Sequence, residues 1–148
     1  MDDVAISMRG NIDRLQAELI KLPQYEPQTQ HYFANGLYLR TVWSPAGSCI
    51  VGKVHKTEHF YAVLSGRVQV TNGEEVMELD ATKNGPQILT CPIGTKRAVL
   101  VLEDAWRMNV HLNVTNTQDI DALEEELVES DEASPFLPGN KLKTELLS

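Results

Sequence analysis

Apolar and polar residues alternate along this chain with two different periods, and the change of period divides it into three. Between Asn11 and Leu22, the apolar positions Ile12, Leu15, Leu19 and Leu22 fall on one helical stripe. Asn11 is placed to cap that helix and Pro23 to stop it. The next stretch, LPQYEPQTQ, holds two prolines and no periodicity, as a linker or extended arm does.

From His31 the period shortens. Leu37–Trp43, Ser48–His55, His59–Ser65 and Arg67–Thr71 are rich in β-branched and aromatic residues. Glu75–Leu79, Gln87–Cys91, Arg97–Leu102 and Trp106–Val114 continue the pattern. Turn residues separate these runs at Asn35-Gly36, Pro45-Ala46-Gly47, Ser65-Gly66 and Asn72-Gly73. Eight or so short strands with no helix between them predict an all-β sandwich or barrel. Helical spacing returns at Asp119–Val128, where Ile120, Leu123 and Leu127 share a stripe behind an acidic first turn. The expected organisation is an N-terminal helix and arm over 1–30, a β-barrel over 31–115, and an acidic helix with a tail over 116–148. In that tail, Phe136, Leu137, Leu142, Leu146 and Leu147 are expected to dock on the barrel or on a neighbour.

The length of 148 residues suits one core and not two. A net charge of −8 disfavours nucleic acid as a partner, because phosphate binding needs a basic face. Much of that charge lies between Asp119 and Glu132, which hold eight carboxylates and no Lys or Arg, the pattern of a solvated helix face. No apolar run approaches the roughly 20 residues that cross a membrane, and MDDVAISMRG lacks a signal-peptide core, so the chain is expected to stay where it is made. Cys49 and Cys91 sit in apolar strand-like segments and read as buried, reduced thiols. His31 reads as a strand-edge or arm residue, and Trp43 and Trp106 as core or interface packing. Ser44, Ser48 and Ser65 lie in no nucleophile motif, and no glycines form a phosphate loop.

One spacing carries more information than the rest. Gly47 is followed after five residues by Lys53-x-His55, after three more by His59, and after six more by Gly66. A second spacing, Pro92-x-Gly94-x-x-Arg97, lies downstream, with Gly85 one residue from its expected place. Together with the strand pattern, these resemble the two motifs of the cupin superfamily. The resemblance implies a double-stranded β-helix, or jelly-roll barrel, flanked here by short N-terminal and C-terminal helices. It also implies metal-ligand positions, of which this chain keeps His55 and fills the others with His59, Lys53 and Arg97. Further stretches (HYFANGLYLR, GKVHKTEHF, PIGTKRAVLVLED, Trp106…His111 and DIDALEEELV) resemble small cupin-like proteins of tailed bacteriophages. That resemblance spans most of the chain and implies a virion or host-cytoplasm location.

Three chemistries fit the candidate residues. A divalent transition metal (Fe, Mn, Ni or Zn) would use His55 and His59, with His111 or Glu58 as a third ligand. Lys53 and Arg97 oppose this: at roughly 5 Å each would repel a divalent ion by several kcal/mol. The same two cations suit a small anionic metabolite or carboxylate-bearing sugar, Arg97 as a planar fork and Lys53 as a mobile charge. Alternatively, Arg97 pairs with Glu103 or Glu58 as an internal ionic tie. The resemblance favours a phage structural or accessory protein, a virion component assembling through its terminal arms. A metal-dependent cupin enzyme acting on a small acid or sugar, and a small-anion-binding module, are the alternatives. The expected partners are copies of itself and other virion proteins, with no nucleic acid and no membrane.

Overall fold

Two long bent strands organise the molecule. The computed structural model describes residues 3–143, and in it β4 (His59–Thr71) and β7 (Ala98–Leu112) run antiparallel along most of their length. The remaining strands are β1 (Gln28–Ala34), β2 (Leu37–Ser44), β3 (Cys49–Val51), β5 (Val76–Asp80) and β6 (Gln87–Cys91). β7 pairs with β3 through its first half and with β2 through its second; β4 pairs with β6 and then with β5. Each long strand therefore passes from one leaf to the other. One leaf runs β1-β2-β7-β4-β6 and the other β3-β7-β4-β5, an all-β jelly-roll arrangement.

The bend comes from a glycine the sequence reading took for a turn. Gly66 has φ +80°, and the β4–β7 register slips around Ser65 and Arg67 as at a β-bulge. A Cβ at Gly66 would lie 2.1 Å from the Asp104 carbonyl oxygen, so only glycine allows the two backbones to meet. The runs His59–Ser65 and Arg67–Thr71 are thus one strand, and Arg97–Leu102 and Trp106–Val114 merge likewise. β1 lies partly in the stretch read as linker, joined to β2 through the Asn35-Gly36 turn.

Tyr61, Val63, Val68, Leu79, Val99 and Val101 fill the space between the leaves at one end. Two helices complete the fold. α1 (Asp3–Leu19) begins earlier than Asn11, which sits inside it and donates to the Gly73 carbonyl instead of capping. Its Ile12, Leu15 and Leu19 pack on Val51 and Ala98. Buried Lys96 ties α1 to the C-terminal segment through Asp13, Gln16 and Asp131. α2 (Ile120–Leu127), capped by Asp119, lays Leu123 and Leu127 on Tyr38 at the open end of the barrel. The chain after α2 is anchored by Lys56 N–H to the Leu127 carbonyl and Glu129 N–H to the Val54 carbonyl. A short hairpin, β8 (Phe136–Leu137) with β9 (Lys141–Leu142), follows and includes Leu142 in the buried set. Leu146 and Leu147 lie outside the described residues. No helix among the described residues is long and apolar enough to cross a membrane.

Candidate functional site

Between the leaves, under α2, lies a cavity of about 120 Å³. Its polar lining is placed by strand parity. On β2, Tyr38, Arg40 and Val42 face inward; on β7, Arg107, Asn109 and His111 do. The segment after β3 contributes Lys53 and His55, the start of β7 is preceded by Arg97, and α2 supplies Glu124. Four cations thus face one carboxylate.

The cations divide into two groups. Towards α2, Glu124 accepts from Arg40 Nη2 at 2.5 Å and from the Gly139 N–H at 2.9 Å, with Lys53 Nζ at 3.7 Å. Burial alone would raise the Glu124 pKa, but Arg40, the Gly139 N–H and Lys53 together hold it below the usual carboxylate value. Deeper in, Arg97 donates to His59 Nε2 and to Asn109 Oδ1, both at 3.0 Å, and lies over the Tyr61 ring at 4.5 Å. Burial pulls its pKa below the ordinary arginine value. Arg107 donates from Nη2 to Ser44 Oγ at 3.1 Å. Among the described residues, neither Arg97 nor Arg107 has a carboxylate partner. The expected tie from Arg97 to Glu103 or Glu58 is not made; Glu103 pairs with Arg67 on the outer surface instead, because it belongs to the opposite strand face.

The structure brings His55, His59 and His111 together as a stack. Ring centroids are 3.9 Å apart for His55–His59, 5.0 Å for His59–His111 and 5.6 Å for His55–His111, with interplanar angles of 14–25°. A metal must lie near the plane of each ligating ring. With centroids 3.9 Å apart and planes at 20°, the His55 and His59 rings lie face over face, so a metal in the plane of one is out of the plane of the other. His59 faces the Thr57 carbonyl through Nδ1 at 3.1 Å, so its Nε2 lone pair is the one that Arg97 occupies. Glu58 is not in the cavity lining. Among the described residues no group of three His, Cys, Asp or Glu side chains is arranged to hold an ion. The histidines do not fit the metal expected from the spacing.

Burial first, then neighbouring cations, keep these rings neutral. The His55 pKa falls to about 2, with Arg97 the next cause; that of His111 falls to about 3, with His59 and then the arginines adding to burial. His59 falls to about 4, burial outweighing the Thr57 hydrogen bond, which acts the other way. Neutral imidazoles accept hydrogen bonds, so the cavity offers acceptors beside its guanidinium donors. His31 lies on the edge strand β1, as expected, and its Nδ1 meets Tyr38 Oη at 2.6 Å. Both cysteines are free thiols; Cys91 is buried and Cys49 partly so.

Among solved structures, a cupin superfamily protein from Desulfitobacterium hafniense aligns over 65% of this chain and 85% of its own, at 13% identity and a TM-score of 0.50. The chain has the cupin fold. KdgF from a Halomonas species aligns over 64% of this chain and 82% of its own, at 17% identity and a TM-score of 0.49. The cupin-2 domain of an XRE family transcriptional regulator from Enterobacter cloacae covers 60% of this chain and 99% of its own, at 11% and 0.49. No protein-family model matches the sequence, and no curated protein does. These bacterial structures carry no indication of a phage origin or of a virion role.

Sequence reading put Lys53, His55, His59 and Arg97 in one cavity, with His111 as a further metal ligand; the structure lines the cavity with all of these but His59, which lies behind Arg97. The sequence reading missed Arg40, Tyr61, Arg107 and Glu124. A signal for them existed: Arg40 shares parity with Tyr38 and Val42, and Arg107 with His111, while Glu124 stands beside Leu123 on the apolar stripe of α2.

Proposed function

We propose that this cupin is a binding module for a small organic anion, a hydroxy acid whose carboxylate meets Arg97 and Arg107. One observation carries the reading. Tyr61, Arg107 and His111 line the cavity, and their buried Oη, Nε and Nδ1 have no hydrogen-bond partner among the described residues. The large majority of buried side-chain polar atoms are partnered in folded proteins, and an orphan costs about 1–3 kcal/mol. Water can satisfy dipoles, but it does not neutralise two buried guanidiniums; a carboxylate does both. The neutral His55 and His111 then accept from hydroxyls on the same ligand. A volume of about 120 Å³ suits an acid of a few carbons. A metal-dependent enzyme lacks its ligand geometry here, and a virion component has no feature of the cavity behind it.

Thermal unfolding with glycolate, lactate, malate and gluconate, each beside its uncharged amide, tests the proposal. At 100 times its Kd, a ligand adds about 2.7 kcal/mol. For a chain of this length that is roughly 5–10 °C in Tm. The expected result is a rise of that order with at least one acid, none with its amide, and none in Arg107→Gln. A shift undiminished in Arg107→Gln, or no shift with any of the four acids, contradicts it.

A further inference from the structure

The outer faces of the two leaves differ in a way that solvent contact does not explain. An antiparallel sheet with one wet face alternates apolar-in with polar-out. The β3-β7-β4-β5 leaf carries charge on its outer face, where Arg67 pairs with Glu78 at 2.6 Å and with Glu103 at 3.4 Å beside the exposed Val76 and Leu100. The β1-β2-β7-β4-β6 leaf does not. Its inward positions are those of the cavity and core, so the intervening ones face out. They include Trp43 and Trp106, directly paired across β2 and β7, with Met108, Phe60, Ile88 and Tyr32 beside them. Within this leaf, no outward position of these strands carries a charge. The described helices pack elsewhere, α1 on β3 and the start of β7 and α2 over the cavity mouth.

We infer that this face binds the same face of a second copy, giving a back-to-back dimer. Tyr32, Leu37, Phe60, Ile88 and Leu112 are between 46% and 62% exposed in the single chain. With their part-buried neighbours they present on the order of 700 Å² of apolar surface, close to the roughly 800 Å² each partner contributes to a stable interface. Charge selects the occupant. The chain carries −8, so two copies repel through most orientations, and an uncharged face is where they meet without that cost. Two flat antiparallel leaves also stack well, face to face at about 10 Å. The dimer thus forms through a sheet face and not through the terminal arms expected from sequence. It is independent of what the cavity binds.

Sedimentation or light scattering at 50 µM and pH 7.5 decides the matter. The wild-type chain is expected at twice its 16.5 kDa mass. Phe60→Lys and Ile88→Lys, at positions 49% and 62% exposed in the single chain, are expected at 16.5 kDa with unchanged circular dichroism. Val76→Lys, on the other leaf and 68% exposed, is expected to keep the doubled mass. A wild-type mass of 16.5 kDa, a lysine variant of the face that stays dimeric, or a Val76→Lys variant that dissociates overturns the inference. Should the face variants fail to fold, wild-type fluorescence across a dilution series serves, because both tryptophans of the chain lie on the face. A red shift on dilution supports the dimer; constant emission down to nanomolar chain overturns it.

Discussion

Replacing Glu124 with alanine is expected to destabilise the fold by about 3–5 kcal/mol, the usual cost of removing one partner from a buried ion pair. The carboxylate is buried and meets Arg40, Lys53 and the Gly139 N–H at once. Its loss leaves two cations facing Arg97 and Arg107 across a small cavity and frees the tail held at Gly139. Glu124→Gln keeps an oxygen for Gly139 and is expected to lose less. Urea unfolding at pH 7.5 measures both, and acetate should restore part of the alanine loss by returning a carboxylate to Arg40 and Lys53. An alanine loss under about 1 kcal/mol would mean that Glu124 is only a surface pair.

Acid is expected to unfold the protein well above the pH at which carboxylates titrate. The three stacked histidines hold native pKa values of about 2, 3 and 4 against an ordinary 6.5. Between those values and 6.5, the unfolded chain takes up protons that the folded chain refuses, so stability falls as pH falls. Above 6.5 both states are neutral and the effect vanishes. Each histidine contributes up to about 1.4 kcal/mol per pH unit in that window. Together they remove on the order of 5 kcal/mol between pH 6.5 and 4.5, comparable with the whole stability of a modest domain. Urea midpoints at pH 7.5, 6 and 5 are expected to drop steeply, and His111→Gln to flatten the drop by about one histidine's share. A midpoint level from pH 7.5 to 5 would show that the rings are protonated in the native state.

The barrel was legible because a period of two and Gly-containing turns are local signals. What was not legible depended on distant backbone. Ser65-Gly66 has the composition of a turn, yet the close approach of Asp104 makes it a bulge within one long strand. β1 hid behind Gln28 and Gln30, whose polarity matches a linker, although Thr29, His31 and Phe33 alternate with them. In the site, the cupin spacing gave the residues nearest the motif. Arg40 and Arg107 were passed over because a charged residue on a strand normally points to water. The parity of their neighbours Tyr38 and Val42 and of His111 places them inside, while the opposite parity is apolar, in Leu37, Leu39 and Trp43 and in Trp106, Met108 and Val110. In an antiparallel sheet with one wet face the outward parity is polar, so the apolar outward parity of β2 and β7 is the pattern in the sequence on which the inferred dimer surface rests.

The central claim is that a carboxylate completes the floor of the cavity, and a crystal structure grown with the most stabilising acid of the panel tests it most directly. The acid is expected between the leaves, one carboxylate oxygen within about 3 Å of Arg107 Nε and the other facing Arg97, with a hydroxyl on His111 Nδ1. Electron density for the acid only outside the barrel, or a metal ion in place of the Arg97–His59 contact, would contradict it.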